Sequence, residues 1–335
     1  MNISQPLPMG QTSFPNAYVI VTGHGRSGSN MLLDIINEHS STLCRNEPDA
    51  MENSPMRGLP DGFFDGDMGP GFAESFHDAL NQAMLRTSVR DHFALKDKIW
   101  FRSASRAWLG QELVRNKHTR RILAAVAPDF RADEWPVPSF YMDHSMLSQV
   151  LPVFKILLIS GWIAQSHARH PGQKVLHILR EPASFLRSWY NRYIQRHTSG
   201  VEQVYATNCE TLPRILAHFD VVSECGAQFS MENLIETELW RWRYMNELPL
   251  QTIGDSERYK LVGFRDVSAR GQDTIRDIYA FCGLDLEDAT WERIEGLSNR
   301  MFPKTNTRPF EGLDVQSIID RVLDGSLLRP HLPDA

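Results

Sequence analysis

Apolar positions along this chain change their period several times, and each change predicts an element. Residues 18–22, Tyr-Val-Ile-Val-Thr, form a short unbroken apolar run, the pattern of a strand buried on both faces. A glycine cluster follows, Gly23-His-Gly-Arg-Ser-Gly-Ser29, and then Met31, Leu32, Ile35 and Ile36 recur at helical spacing. The segment reads as strand, glycine-rich turn, helix, with a second strand over 42–45. The pattern sharpens again after position 150. Residues 174–179 read as a buried strand, and Pro182 stands where a helix begins. Phe185, Leu186, Trp189, Tyr190, Tyr193 and Ile194 then fall on one helical face, a core stripe. An amphipathic helix is expected over 230–247, a strand over 259–264 and a helix over 274–282 with Gly283 at its C′ position. Strands alternating with helices imply an α/β fold, a P-loop-type parallel sheet flanked by helices on both faces.

Residues 50–150 interrupt this rhythm. Positions 58–71 are rich in Gly, Asp and Pro and read as a long loop. Stretches near 73–86 and 105–127 have charged helical patterns. The expectation is a single domain, 1–335, carrying a largely helical insertion over 50–150. That insertion is either a cap contributing an acceptor site or a plain helical layer.

Composition narrows the chemistry. The 335 residues are 42% hydrophobic and 23% charged with a net charge of −6, ordinary for a globular protein. No basic surplus draws the chain to nucleic acid or to anionic lipid, so an anion site has to be a local cluster. Cys44, Cys209, Cys225 and Cys282 form no CxxC pair and are read as reduced thiols. His218, between two of them, is a poor start for a zinc site, and no metal is expected. Residues 1–16 are polar, with no basic or apolar signal segment, and no run of about 18 apolar residues spans a membrane. A cytoplasmic protein is expected, of undetermined oligomeric state.

The glycine loop carries the first candidate site. Gly23 and Gly28 have the spacing of a phosphate loop, whose backbone N–H groups and following helix N-terminus favour an anion. A nucleoside-triphosphatase loop continues Gly-Lys-Ser/Thr; here Gly28 is followed by Ser29 and Asn30, so both the lysine and the usual magnesium-binding hydroxyl are missing. Arg26 lies inside the loop instead. This suits a donor without a β,γ-diphosphate and a reaction without Mg²⁺. Gly25-Arg-Ser27-Gly is also similar to a hydrolase nucleophile elbow, but Ser29 occupies the last glycine position.

The second anchor is Leu179-Arg-Glu-Pro-Ala-Ser-Phe-Leu-Arg-Ser188, with Arg180 at a strand end and Ser188 eight residues on. With the loop, it resembles the sulfotransferases that use 3′-phosphoadenosine 5′-phosphosulfate (PAPS). The Arg-Ser-Gly-Ser loop is closest to the carbohydrate and tyrosylprotein branches. The resemblance covers about 18–48, 152–197 and 258–284, roughly a third of the chain. It implies a donor site of Gly25, Arg26, Ser27, Gly28, Ser29 and Asn30 at the 5′ end and Arg180, Ser188 and Arg192 at the 3′-phosphate, with PAP (3′-phosphoadenosine 5′-phosphate) as product. It also implies catalytic roles for Glu47, in Asn46-Glu47-Pro48 after the second strand, and for Lys155, 25 residues before Arg180, together with Arg26. His144 and His77 are alternative bases. Leu261-Val-Gly-Phe264-Arg-Asp266 matches the family's Tyr-Glu-Asp strand end poorly, whereas Phe281-Cys-Gly-Leu284 matches its helix end. The basic segment 298–308, with Lys304 and Arg308, is a candidate donor-closing loop. The expected activity is sulfuryl transfer to a hydroxyl or amine of a small-molecule, sugar or glycolipid acceptor. The competing readings are a small-molecule kinase and a nucleotide-binding pseudoenzyme.

Overall fold

The computed structural model describes residues 17–50, 54–85, 98–108, 118, 121–122, 125, 142–157, 159–194, 200–297 and 310–332. The site segment 298–308 and most of the expected helix over 105–127 lie outside them. Five strands, β1 (Tyr18–Thr22), β2 (Thr42–Asn46), β3 (Leu151–Lys155), β4 (Gln173–Leu179) and β5 (Tyr259–Gly263), form one sheet in the order β2-β3-β1-β4-β5. Every pairing is parallel.

Period-two alternation splits each strand between two covered faces. Tyr18, Ile20, Phe154 and Val175 pack with α2 (Phe72–Met84) and α3 (Ser160–Arg169). Val19, Val21, Val153 and Ile178 pack with α1 (Ser29–Ile36) and with the helix Gln272–Cys282 on the other face. Gly283 adopts the left-handed conformation (φ 78°) that ends this helix, as the sequence predicts.

Within the 50–150 insertion, α2 presents Phe72, Phe76, Leu80 and Met84 to the core beneath the sheet. This part packs as a layer of the core. It belongs to the long crossover from β2 to β3, which lie side by side. The expected loop at 58–71 is present, anchored where Gly62 O accepts from Gly161 N at 3.0 Å.

Two expectations are corrected. The apolar stripe from Phe185 to Ile194 does not stay on one face. α4 (Pro182–Trp189) gives way to a π turn over Tyr190–Ile194. The extra residue per turn rotates the stripe, leaving Tyr193 41% exposed while Phe185, Leu186 and Trp189 stay buried. The helix expected to be amphipathic over 230–247, α6 (Met231–Ile253), is instead buried almost all round, Glu236, Glu238, Arg243 and Glu247 included. It lies in a cluster with α4, α5 (Val201–His218) and a late helix, Val315–Val322. It also runs through Pro249, and the Met245 carbonyl that this proline cannot bond accepts from Ser160 Oγ at 3.1 Å instead. No helix among the described residues is long and apolar enough to cross a membrane.

Candidate active site

All five strands end at the same edge, and the candidate residues stand along it. β1 lies between β3 and β4: the chain passes from β1 to β2 on one side and later crosses from β3 over β1 to β4 on the other. The carboxyl end of β1 is the switch point at which open α/β sheets bind ligands. The turn from Gly23 to Gly28 occupies that point and feeds directly into α1.

The turn holds its shape through two backbone conformations and one close approach. Arg26 has φ 74° and Gly28 φ 100°, both left-handed. A Cβ at Gly28 would lie 2.5 Å from the Phe264 ring, so the loop touches the residue after β5 where only glycine fits. Gly28→Ala is expected to cost about 1–2 kcal/mol from the backbone alone. It would be read as a lower Tm and weaker binding of a nucleotide phosphate; an unchanged Tm and affinity would remove Phe264 from the loop's support.

The two distant motifs meet here. Arg26 Nε donates to Ser188 Oγ at 3.2 Å, and Arg180 Nη1 donates to the backbone carbonyl of Arg26 at 3.0 Å. Arg180 also donates through Nε to Ser184 Oγ at 2.9 Å, and its guanidinium lies 4.2 Å from the centre of the Phe264 ring. Burial lowers the Arg180 pKa to about 10, countered by Glu181 and assisted by Arg26 and Arg187. It stays cationic at neutral pH. Ser27 Oγ is buried with no hydrogen-bond partner among the described residues, an orphaned polar atom inside a turn built for anions. No side chain caps α1, so its first-turn N–H groups are presented at the turn. Ser29 is buried at the start of α1 and Asn30 exposed beside it; no Cβ neighbour crowds Gly25. A phosphate ester fits this donor set.

On the other side of β1, Lys155 ends β3 and is 1% exposed. Its ammonium donates to Asn46 Oδ1 at 3.0 Å and pairs closely with the Glu47 carboxylate. Glu47 sits just past β2 in a left-handed conformation (φ 51°), its N–H donating to Lys155 O at 2.8 Å. The turn away from β2 thus brings the carboxylate back over the neighbouring strand end, within reach of both solvent and the lysine.

Three further sequence candidates remain. Arg192 is exposed on the π turn, four residues past Ser188. His77 stacks on His170 and lies 5.6 Å from the ring of Tyr18, at the opening residue of β1. His144 opens the turn that leads into the start of β3. Both histidines belong to the sheet's opposite edge. Three residues at the site were missed: Phe264, whose mismatch to the family pattern hid its packing role, and the buried pair His24 and Glu238.

A parallel sheet with a phosphate turn at its switch point, an arginine clamp and a Glu–Lys pair defines a nucleotide-dependent group-transfer enzyme. The family model "Sulfotransferase family" matches residues 18–288, and the chain belongs to that family; it is a PAPS-dependent sulfotransferase. No curated protein sequence matches it. Among solved structures, sulfotransferase STF9 from Mycobacterium avium is 14% identical, with 94% of this chain and 77% of that one covered at a TM-score of 0.43. Sulfotransferase STF1 from Mycobacterium tuberculosis is 15% identical, with 93% and 77% covered at 0.40. Mouse sulfotransferase SULT7A1, complexed with PAP, is 10% identical, with 94% and 87% covered at 0.39. These overlaps are loose, and the family rests on the sequence model.

Proposed function

We propose that this chain transfers the sulfuryl group of PAPS to a hydroxyl of a small metabolite, sugar or glycolipid in the cytoplasm, with Glu47 as general base. The observation that carries the reading is the convergence of Arg26, Arg180 and Ser188 at the carboxyl end of β1, from motifs 154 and 162 residues apart. The donor supplies an electrophilic sulfur whose bond to a phosphate oxygen breaks as the acceptor oxygen bonds to it.

The chain's part is placement and charge. Arg180, held over the Phe264 ring, offers a fork of N–H donors to the 3′-phosphate, and Ser188 adds a hydroxyl. Arg26 and the first amides of α1 receive the negative charge that accumulates on the departing phosphate. Lys155 orients the Glu47 carboxylate and adds positive charge at the reacting centre. Glu47 takes the proton that the acceptor hydroxyl sheds as the new bond forms. Arg192, four residues past Ser188 on the π turn, extends the clamp made by Arg180 and Ser188.

With Ser29-Asn30 in place of Lys-Ser/Thr, the turn has no evident means of holding a magnesium–diphosphate unit. A panel of hydroxylated metabolites and glycans, incubated with labelled PAPS, is therefore expected to give a labelled product at the same rate in excess EDTA. Loss of transfer on chelation, restored by Mg²⁺, would contradict the metal-free reading.

A further inference from the structure

Behind the phosphate turn, His24 and Glu238 of α6 face each other, 7% and 3% exposed. His24 Nδ1 lies 3.0 Å from the Gly25 carbonyl. A carbonyl only accepts, so Nδ1 carries the hydrogen and Nε2 is left to meet Glu238 Oε1, 3.5 Å away. A neutral ring of that tautomer presents a lone pair at Nε2, and an ionised carboxylate presents another. The contact is attractive only when one proton lies between them.

The surroundings fix the rest. Glu238 Oε2 accepts from Asn208 Nδ2 of α5 at 3.0 Å, and Arg241 Nε of α6 is 4.0 Å from the same oxygen. From α4, Phe185 closes on the imidazole edge at 4.7 Å between centroids. Arg241 is the charged group beside the pair. The His24 carbonyl in turn accepts from Ser27 N at 3.0 Å, so the ring's position is coupled to the backbone of the turn.

We propose that Glu238 is a positioning residue for donor binding: the proton it shares with His24 fastens the phosphate turn to α6. The proposal rests on the donor reading of that turn. Burial raises Glu238 to about 7, with Arg241 and Asn208 pulling it down. Burial lowers His24 to about 4, with the Gly25 carbonyl pulling it up and Arg241 pressing it lower. The proton therefore rests on Glu238. Because this carboxyl is raised above its ordinary value, its contribution is complete below the ordinary carboxylate range and is lost as pH rises through about 7.

Calorimetric titration of the full chain with PAP, at about pH 6 and about pH 8.5, tests this in the unmutated protein and in Glu238→Gln. The glutamine amide donates to His24 at every pH, and its oxygen still accepts from Asn208. The unmutated protein is expected to lose about tenfold or more in affinity across that range relative to the variant, as the fastened turn becomes a minor population. Ionisation of PAP itself is common to both and cancels. In turnover, donor KM should carry the pH dependence while kcat runs parallel in the two proteins. A second readout needs no variant: the His24 Nε2 resonance should shift with a midpoint near 7 while Nδ1 stays protonated. Parallel affinity profiles, or a His24 ring unchanged over that range, would overturn the proposal alone. Absence of PAP binding at pH 6 would overturn the donor reading with it.

Discussion

Glu47→Gln is expected to lower kcat by a factor on the order of 10²–10⁴ while leaving PAP affinity nearly unchanged. The amide keeps the shape of the side chain and an oxygen for the Lys155 ammonium, which also donates to Asn46. The variant does leave the buried Lys155 ammonium without its counter-charge, so some loss of Tm is expected in either case, softened by the two oxygens that still accept from it. What it loses is basicity. The acceptor proton then leaves to water, and the barrier rises by the general-base contribution. Donor affinity belongs to the opposite side of β1, where Arg26, Arg180 and Ser188 meet, so it should not follow kcat. The assay needs a hydroxyl acceptor and single-turnover conditions in which chemistry limits the rate. A kcat within about threefold of the unmutated value, with a lowered Tm, would make Glu47 a structural partner of Lys155 and nothing more. His77 and His144 do not offer a ready replacement, because both lie at the far edge of the sheet.

What was legible in the sequence is what is encoded locally. The strand 18–22, the glycine turn and α1 follow from a run of consecutive residues, and the structure reproduces them. The Arg180–Ser188 motif is likewise local, a strand end and one helix. Family spacing brought Lys155 and Glu47 into consideration, but their direct contact follows from β2 and β3 being neighbours in register, which no local pattern reports.

The failures have a common physical cause. Periodicity reports burial on one face, so it reads a helix covered on every side as polar wherever charges recur. In α6, Glu236 meets Arg321, Glu247 meets Ser326 as well as Arg243, and Glu238 meets His24 and Asn208. Most of these partners lie tens of residues away or more, and nothing within the helix announces them. The π turn after Trp189 escaped for a related reason: a single added residue rotates the face without changing the composition. Phe264 stands in a stretch that matches the family's strand end poorly, yet its ring is the surface against which Gly28 closes and Arg180 lies.

The central claim is that Arg180 reads a 3′-phosphate, and calorimetry with PAP and AMP tests it without knowledge of the acceptor. The two nucleotides share the adenosine and the 5′-phosphate and differ in the group that Arg180 and Ser188 would hold. A charge-assisted contact contributes about 1.5–3 kcal/mol, so the unmutated protein should bind PAP at least about tenfold more tightly than AMP. Arg180→Ala should erase most of that difference while leaving AMP affinity within a small factor. Arg180 remains charged throughout the neutral range, its pKa being lowered by burial only to about 10, so the preference should persist from pH 6 to 8. Equal affinities for PAP and AMP in the unmutated protein would contradict the account.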